Sequence, residues 1–592
     1  MSDYIRNSRN VCKSRYEWKT RPTNGDPVAL AAELKISPVA ARALINRGYG
    51  SNPDADPFML TPRIDALRDP RGMKDMDIAV KRLIKAIQNK EKILVYGDYD
   101  ADGVCSAAVT VGLLEAAGAI ASAAIPERER EGYGLSEKSL PLIAETTPDL
   151  ILTVDNGVTA HQAVAALRAL NIDVIVTDHH LPEATLPDAV AVVNPMRADC
   201  RYPFKGLSGA GVAFQVCRAL ALELSGGTKR PVKVFQDALD AALPLVALAT
   251  VADVMPLLDE NRAIVRYGLA MMPNATAPGV RLLAEKAMRG KTKLRADAIG
   301  YQIGPRINAA GRMGEARTAY DLLRAPDEKT ADDLFARLDE LNNLRQRTER
   351  ALTKSATAMV SDPAPAGIVV SGGPDWHPGV LGIVAGRLSD QFNRPTVAIS
   401  FNDDGDGKGS ARSITGVDIR QLLEVCASHL TGFGGHSQAA GLSLKRESLD
   451  SFISAFVDAA AAAQPDGSMP PFLLTDGEIS LSDCNQNLVD DIARIEPFGE
   501  AFPSPLFIAR GVRFAGEIQL MGKSQSHLSA MIYQPGGRAF RAVGFNLGDR
   551  FEELKKRRRE GAFDFVFEPS VNEFNGNTTI ELMIKDFSES ES

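Results

Sequence analysis

The sequence predicts an α/β protein with three parts: a parallel-sheet domain, a smaller α/β domain joined to it by a long helix, and a small C-terminal β-barrel. Short apolar runs alternate with helix-length segments between residues 92 and 193. Residues 331–359 carry regularly spaced leucines with no glycine or proline, and short strand-like runs fill residues 472–592. One hydrophobic core stops growing at ~250–300 residues, so a chain of 592 residues is expected to form several domains.

Composition places the chain among globular proteins, with 45% hydrophobic and 24% charged residues. No apolar run approaches the ~20 residues of a bilayer-spanning helix, and the polar N-terminus does not resemble a secretory signal, so we expect a cytoplasmic protein without a membrane partner. Six scattered cysteines with no C-x-x-C pair argue against thiolate zinc sites and disulfides. The net charge of −8 weakens, without excluding, a nucleic-acid partner, because local basic patches or bound metal can still attract one.

The parallel sheet is predicted from buried apolar runs that end in polar loops. Its expected strands are Lys92–Tyr96, Leu150–Val154, Ile172–Thr177 and Ala189–Val193. The helix after the first strand is expected to end at Gly118.

The domain boundaries follow from these patterns and from the proline-rich break at Ser361–Gly367. We expect an N-terminal extension (1–60), the parallel-sheet domain (61–290), a helical connector (291–360), the smaller α/β domain (361–465) and the barrel (470–592). The alanine-rich stretch Ala459–Pro471 is predicted to be a linker.

Acidic side chains follow three of the predicted strands. Asp98, Asp100 and Asp102 come after the first, Asp155 after the second, and Asp178 with His179 and His180 after the third. Loops that follow parallel strands emerge at one edge of the sheet, so these groups are expected to share a crevice. Clustered carboxylates with a little imidazole suit Mg²⁺ or Mn²⁺, and a pair of such ions suits in-line displacement at phosphorus.

Simpler interpretations exist for each residue alone. Asp102 or Asp155 would serve equally as a helix N-cap, and the two histidines as an ordinary loop pair. The run GDYDADG also resembles a calcium loop, although it lacks the downstream glutamate. Three acidic loops on successive strands make the metal interpretation the stronger one.

Five motifs resemble the DHH phosphoesterase superfamily, and within it the bacterial exonucleases specific for single-stranded DNA. They are GDYDADG (Gly97–Gly103), VDNG (Val154–Gly157), TDHH (Thr177–His180), SGAGVAF (Ser208–Phe214) and ATVADVMPL (Ala249–Leu257). The resemblance implies a DHH domain, a smaller DHH-associated domain that binds nucleic acid, and a barrel of the oligonucleotide-binding (OB) type. It also implies a phosphodiesterase with two Mn²⁺ or Mg²⁺ ions.

The resemblance implies roles for individual residues. The implied metal ligands are Asp100, Asp102, Asp155, His179 and Asp253. Asp98 would ligate a metal or orient water, His180 would contact the scissile phosphate, and Asp178 would hold the histidines. Spacing alone gives no reason to bring Asp253 to the crevice, and its alternative role is a helix cap.

Further motifs carry groups suited to phosphate. The candidates are Arg128, Arg306, Asn308, Ser410, Arg412 and His436, for each of which an ordinary surface ion pair or a tight turn is the alternative. By similarity, Arg128, Ser410 and Arg412 would bind a 5′-terminal phosphate. Two basic clusters, 345–354 and 555–559, fit the path of a strand, although the first is equally an ordinary solvated helix face.

The function implied is a 5′-to-3′ exonuclease specific for single-stranded DNA, acting in recombination and repair. One alternative is a related phosphodiesterase acting on short RNA oligomers or cyclic dinucleotides, which would not need the barrel. Another is a non-catalytic scaffold of a replication or repair complex, which would have lost metal ligands. The expected partners are DNA with a free 5′ end, a single-strand-binding protein and a helicase, and the chain is expected to be a monomer.

Overall fold

The computed structural model describes residues 12–49, 57–128, 130–132, 134–227, 229–464, 471–557, 561–574 and 577–590. The strands are β1 (Glu17–Thr20), β2 (Lys92–Tyr96), β3 (Ile120–Ala124), β4 (Leu150–Val154), β5 (Asp173–Thr177), β6 (Ala191–Val193), β7 (Ile368–Gly372), β8 (Thr396–Phe401), β9 (Asp406–Arg412), β10 (Gly432–Gly435), β11 (Ala439–Lys445), β12 (Phe472–Thr475), β13 (Phe507–Phe514), β14 (Gln519–Met521), β15 (His527–Tyr533), β16 (Phe540–Gly544), β17 (Phe563–Phe574) and β18 (Asn577–Glu589).

The helices are α1 (Pro27–Leu34), α2 (Pro38–Ile45), α3 (Met76–Asn89), α4 (Ala101–Ala116), α5 (Leu140–Ala144), α6 (His161–Ala169), α7 (Gly209–Leu224), α8 (Lys233–Ala252), α9 (Asp259–Met271), α10 (Pro278–Met288), α11 (Ala296–Ala298), α12 (Gly304–Arg312), α13 (Ala316–Leu323), α14 (Glu328–Met359), α15 (Leu381–Phe392), α16 (Ile419–Val425), α17 (Leu449–Ala463), α18 (Gln486–Ile495) and α19 (Phe551–Arg557).

The first domain is built on a parallel sheet with strand order β3-β2-β4-β5-β6. The predicted strands Lys92–Tyr96 and Leu150–Val154 are confirmed residue for residue. Strand β2 pairs with β3 on one side and with β4 on the other. The order therefore reverses between β2 and β4, which opens a crevice at their carboxyl ends, where ligands bind in such sheets.

Helix α8 is the one helix of the described residues that has the length and apolar character needed to cross a membrane, contrary to the prediction that no run of the sequence approaches this. It contains Lys233 and Pro244, and 61% of its most apolar stretch is buried. It packs against α4, α7 and α9, so this helix belongs to the interior of the first domain.

The predicted connecting helix is confirmed as α14, and it begins slightly earlier than expected because the Asp327 side chain caps it by accepting from Thr330 N. The second domain has strand order β10-β11-β9-β8-β7, and β7 and β8 are its parallel pair. The prediction of a linker from Ala459 onward is wrong for its first residues, since Ala459–Ala463 form the last turn of α17. Residues 465–470 lie outside the described ranges.

The C-terminal domain is a closed barrel, because β13 pairs with β17 on one side and with β15 on the other, completing the ring through β18 and β16. The side chains of Phe507 and Phe540 are buried, whereas Phe545 is 54% exposed and packs edge-on against the His527 ring. Of the basic cluster 555–559, the last two residues lie outside the described ranges, and Arg557 pairs with Glu589.

The N-terminal segment packs against this C-terminal domain. Strand β1 runs parallel to β12, and the buried carboxylate of Asp586 accepts hydrogen bonds from Arg15 N and Trp18 Nε1 at 3.1 and 2.9 Å. A buried ion pair joins Arg47 to Asp476 at 2.8 Å. Strand pairing, buried hydrogen bonds and this ion pair therefore join the N-terminal segment to the C-terminal domain.

Candidate metal centre

The loop after β2 supplies three carboxylates to the crevice. Asp100 caps α4, accepting from Asp102 N and Gly103 N at 3.0 and 3.1 Å. The cap is thus Asp100, so the N-cap interpretation of Asp102 is wrong. Both oxygens of Asp102 instead accept from the first backbone N–H groups of α7, Gly209 N and Ala210 N, at 2.7 Å each. A helix N-terminus therefore stabilises this buried carboxylate.

Asp155 enters the crevice from the end of β4. Its backbone has φ +64°, and its N–H donates to Thr177 O at 3.0 Å. Since an N-cap residue has extended rather than left-handed backbone, the capping interpretation of Asp155 is also wrong. A Cβ on Gly209 would lie 2.4 Å from Asp155 Oδ1, so only glycine allows the start of α7 to approach this carboxylate.

Asp178 organises the loop after β5. Its carboxylate accepts from Val158 N at 2.9 Å, from His179 N at 2.7 Å and from His180 N at 3.0 Å. It also bonds the His180 Nδ1 atom at 2.7 Å. Asp178 therefore holds both histidines in position, as expected for a positioning residue.

Asp253 reaches the same crevice from the last turn of α8. The His179 Nε2 atom lies 3.1 Å from Asp155 Oδ1, 3.8 Å from Asp102 Oδ2 and 3.8 Å from Asp253 Oδ2. Asp253 is also the C-terminal cap residue of α8, so the cap alternative and the crevice position hold together.

Ligand atoms suited to a cation form three overlapping groups, each with all atoms within 4.8 Å of one another. They are Asp98 with Asp100 and Asp155, Asp102 with His179 and Asp253, and Asp155 with both histidines. The buried Oδ1 atoms of Asp98 and Asp155 have no hydrogen-bond donor among the described residues. Buried carboxylate oxygens without a donor need a positive partner, so the residues fit hard divalent cations.

The pKa values of the buried carboxylates also indicate a site for cations. Burial, reinforced by neighbouring carboxylates, raises the pKa of Asp102 to about 7 and the pKa of Asp253 to about 8. The same causes raise the pKa values of Asp98 and Asp155 well above their usual range. Without cations the cluster therefore retains protons near neutral pH.

The adjacent histidines differ in protonation. Burial and the neighbouring charge of His180 lower the pKa of His179 to about 4, which leaves a neutral imidazole fit to bind a metal. Burial disfavours the charged form of His180, but its hydrogen bond to Asp178 prevails and raises the pKa of His180 to about 9. The pair thus combines a neutral ligand with a cationic group.

These pKa shifts predict how cations stabilise the protein at different pH. An Asp whose pKa is higher in the folded than in the unfolded protein favours folding while it is protonated. Its contribution to the free energy of unfolding falls as pH rises from about 4, the ordinary pKa of Asp, through about 7 to 8. Cations bind the ionised cluster, so we expect the Mg²⁺-induced rise in Tm, measured against a chelator, to grow from pH 6 to pH 8. An equal rise at both pH values would contradict this account.

Two of the predicted phosphate-binding arginines lie close together. Arg412 on β9 donates to Ser410 Oγ at 3.0 Å, and burial together with the charge of Arg128 lowers the pKa of Arg412. The Arg128 guanidinium lies over the Tyr99 ring, 5.5 Å from its centroid. Neither arginine pairs with a carboxylate of the described residues, so both remain able to bind an anion.

Arg312 joins this arginine pair from α12. It donates to Gly379 O of the second domain at 3.1 Å. Burial and the charges of Arg128, Arg412 and Arg345 lower the pKa of Arg312 to about 10. Arg312 is not among the phosphate candidates named from the sequence, and only the fold brings it together with the other arginines.

The remaining phosphate candidates occupy different surroundings. Arg306 turns to the connecting helix and pairs with Asp339 at 2.9 Å, so it does not join the arginine cluster. Asn308 accepts from Ala101 N at 2.8 Å and so holds the start of α4. His436 lies near enough to His179 for its charge to lower the pKa of that residue, so the second domain faces the crevice.

Profiles of three known families match the chain. The DHH family N-terminal domain matches residues 92–249, the DHHA1 domain matches residues 365–462, and the RecJ OB domain matches residues 475–586. The matched segments contain the parallel sheet, the second domain and the barrel, in the order expected from the motifs.

Whole-chain relatives extend these matches. The single-stranded-DNA-specific exonuclease RecJ of Bacillus subtilis is 35% identical over 98% of this chain and 71% of its own length. RecJ of Escherichia coli is 33% identical over 92% of this chain and 96% of its own. The crystal structure of Thermus thermophilus RecJ in complex with Mn²⁺ has a TM-score of 0.80 at 30% identity, covering 98% of this chain and 80% of that one. This chain therefore belongs to the RecJ family of DHH proteins.

Proposed function

We propose that the chain is a metal-dependent exonuclease that hydrolyses single-stranded DNA from its 5′ end, in recombination and repair. The observation that carries this proposal is the meeting of Asp102, Asp155, His179 and Asp253 at the switch point of the parallel sheet. The relatives named above are single-stranded-DNA-specific exonucleases, and this chain keeps the groups that such chemistry needs.

Mn²⁺ or Mg²⁺ would be held as a pair by groups on either side of Asp155. The proposed holders are Asp98, Asp100, Asp102, Asp155, His179 and Asp253. Ions bound there would supply an activated water and a positive charge for the leaving oxygen of an in-line displacement. His180 contacts the scissile phosphate with a positive charge that Asp178 maintains, while Asp178 itself acts only through the histidines.

Polarity would come from a pocket for the 5′-terminal phosphate formed by Arg128, Ser410 and Arg412. Arginine forks match phosphate oxygens, and Arg412 is already aligned by its bond to Ser410. We expect the passage between the second domain and the metal centre to admit one strand and to exclude a duplex.

Replacing Arg412 with alanine is expected to reduce kcat/KM on 5′-phosphorylated single strands about 10- to 100-fold, because a charge-assisted hydrogen bond is lost. Strands with a 5′-hydroxyl are expected to change little. Comparing the two substrates measures the effect, with Arg281→Ala, an exposed arginine paired with Glu328, as the control. Equal losses on both substrates would rule out a role in recognising the terminal phosphate.

Digestion of single- and double-stranded DNA and of RNA, labelled at either end, tests the proposed function. We expect mononucleotides to leave from the 5′ end of single-stranded DNA only. Preference for RNA dinucleotides or cyclic dinucleotides would favour the related phosphodiesterase, against which the barrel argues. No hydrolysis with Mn²⁺ would favour a scaffold, against which the complete acidic cluster argues.

The cellular setting is proposed from the same relatives. We expect a cytoplasmic monomer that cooperates with a single-strand-binding protein and a helicase. The division at residues 60, 290, 360 and 465 stays a prediction, which limited proteolysis tests. Sedimentation of the purified chain, alone and with a single-strand-binding protein, tests the expected assembly.

A further inference from the structure

An exposed tyrosine stands on an irregular helical turn outside the metal centre. Tyr301 is 84% exposed, more than any other large apolar or aromatic side chain of the described residues. It lies in a π-helical turn, Ile299–Ile303, between α11 and α12. Such turns recur at functional sites, and packing within the fold does not account for a tyrosine ring left in water.

This turn contributes Gly300 to a cleft whose lining also includes Ala252, the residue before the candidate metal ligand Asp253. The cleft, about 180 Å³ in volume, is lined by Gly300, Gly304, Pro305, Asn308, Arg312 and Arg345, together with Ala252 and Ile383. Ala252 immediately precedes Asp253, and Gly304 packs against it, with 3.2 Å between the Ala252 Cβ atom and the position of a Cβ on Gly304. Tyr301 directly follows the cleft-lining Gly300 in the chain and is exposed to solvent outside the cleft lining, which includes two arginines.

The segment before the turn is basic and extends toward the barrel. Residues 289–295 contain two arginines and two lysines without an acidic residue, in a chain of net charge −8. Lys293 and Arg295 contact Glu496, just before the barrel, at 2.7 and 3.4 Å. Arg289 and Lys291 are exposed and pair with no carboxylate of the described ranges. Glu496 offsets the charges of Lys293 and Arg295, and Asp297 is exposed between them and Tyr301, so the uncompensated positive charge of this segment is that of Arg289 and Lys291.

We propose that residues 289–301 form a path for single-stranded nucleic acid between the barrel and the cleft. A base stacks on Tyr301, and Arg289 and Lys291 contact phosphates. This inference rests on the proposed function, which it extends to the part of the strand beyond the cleaved bond. Base stacking on an aromatic side chain contributes about 1–3 kcal/mol, and an exposed, sequence-tolerant platform suits an enzyme that degrades any sequence.

The test compares a long and a short substrate. For Tyr301→Ala we expect KM on a thymidine 20-mer to rise about 10-fold, with kcat unchanged, and Kd for the 20-mer in chelator to rise equally. KM on a 5′-phosphorylated dinucleotide, which is too short to reach the path, is expected to change less than about 2-fold. Tyr301→Phe retains the ring and is expected to behave as the wild type. Tyr267→Ala, at a 38% exposed tyrosine on α9, is the control and is expected to leave both substrates unaffected.

Salt dependence tests the basic part of the path. The double substitution Arg289→Ala with Lys291→Ala is expected to reduce the slope of log Kobs against log salt by about 1.4, the value for two single-strand phosphate contacts. An unchanged slope would remove these residues from the path.

The outcomes separate this inference from the proposed function. If Tyr301→Ala binds the 20-mer as tightly as the wild type, the path is wrong whatever the enzyme hydrolyses. An equal rise in KM for the dinucleotide would likewise overturn it, because the effect would then lie at the metal centre. If the wild type hydrolyses no DNA but Tyr301→Ala still loses affinity for the 20-mer, the proposed function fails and the path stands.

Discussion

Replacement of Asp155 by asparagine is expected to lower the rate of single-strand hydrolysis by about 10³-fold or more, while Kd for single-stranded DNA changes little. Asp155 belongs to two of the groups that would hold cations, one with Asp98 and Asp100 and one with both histidines, and its Oδ1 atom is 3.1 Å from His179 Nε2. An amide cannot supply the negative charge shared by both groups. Initial rates with Mn²⁺ in excess measure the effect.

The Asp155→Asn substitution is also expected to change the Tm in a way that a simple loss of structure would not. Asp155 is buried among carboxylates that raise its pKa, so the metal-free wild type at pH 8 must either hold a proton on this group or bear its repulsion, and an amide avoids both costs. We expect the Tm of Asp155→Asn in chelator at pH 8 to be higher than that of the wild type, and the rise on adding Mn²⁺ to be smaller. The control, Asp77→Asn, alters an exposed carboxylate on α3 and is expected to change neither activity nor Tm. Retention of more than a tenth of the activity would contradict the role given to Asp155.

Gly209→Ala is expected to reduce kcat about 100-fold or more without unfolding the protein. The added Cβ would lie 2.4 to 2.6 Å from Oδ1, Cβ and Cγ of Asp155, so either α7 or the carboxylate must move. Movement of α7 would also disturb Asp102, which accepts from the N–H groups of Gly209 and Ala210. Displacement of reacting groups by about 1 Å costs on the order of 10²-fold in rate.

Gly211→Ala, two positions along the same helix, is the matched control. Its nearest neighbour would be the Leu207 Cβ at 3.2 Å, which is tight but outside the metal centre. We expect Gly211→Ala to keep most of the activity, and both variants to show cooperative melting. Wild-type rates for Gly209→Ala would show that the start of α7 does not position the carboxylates.

The parallel sheet was predictable because its strands are buried on both faces and therefore read as continuous apolar runs, as in Leu150–Val154. The acidic loops were predictable for the same reason, since each follows the end of such a run. In contrast, Asp253 arrives from the end of α8, and only tertiary packing brings that helix end to the sheet edge. No local pattern could have indicated it apart from the resemblance of its motif to a family.

Other differences have local causes. In the run Asp98–Asp102 three carboxylates compete for one capping position, and only the backbone shows that Asp100 occupies it. The position of the linker is predicted too early because alanine favours helix, and α17 continues to Ala463. The π-helical turn at Tyr301 depends on the packing between α11 and α12, so no spacing rule predicted it.

The most direct test of the metal centre is anomalous diffraction from crystals of the protein soaked in Mn²⁺. We expect two peaks in one crevice, one bordered by Asp98, Asp100 and Asp155 and the other by Asp102, His179 and Asp253. Absence of manganese from the crevice, or manganese bound only elsewhere on the protein, would contradict the account of this centre and of the hydrolysis derived from it.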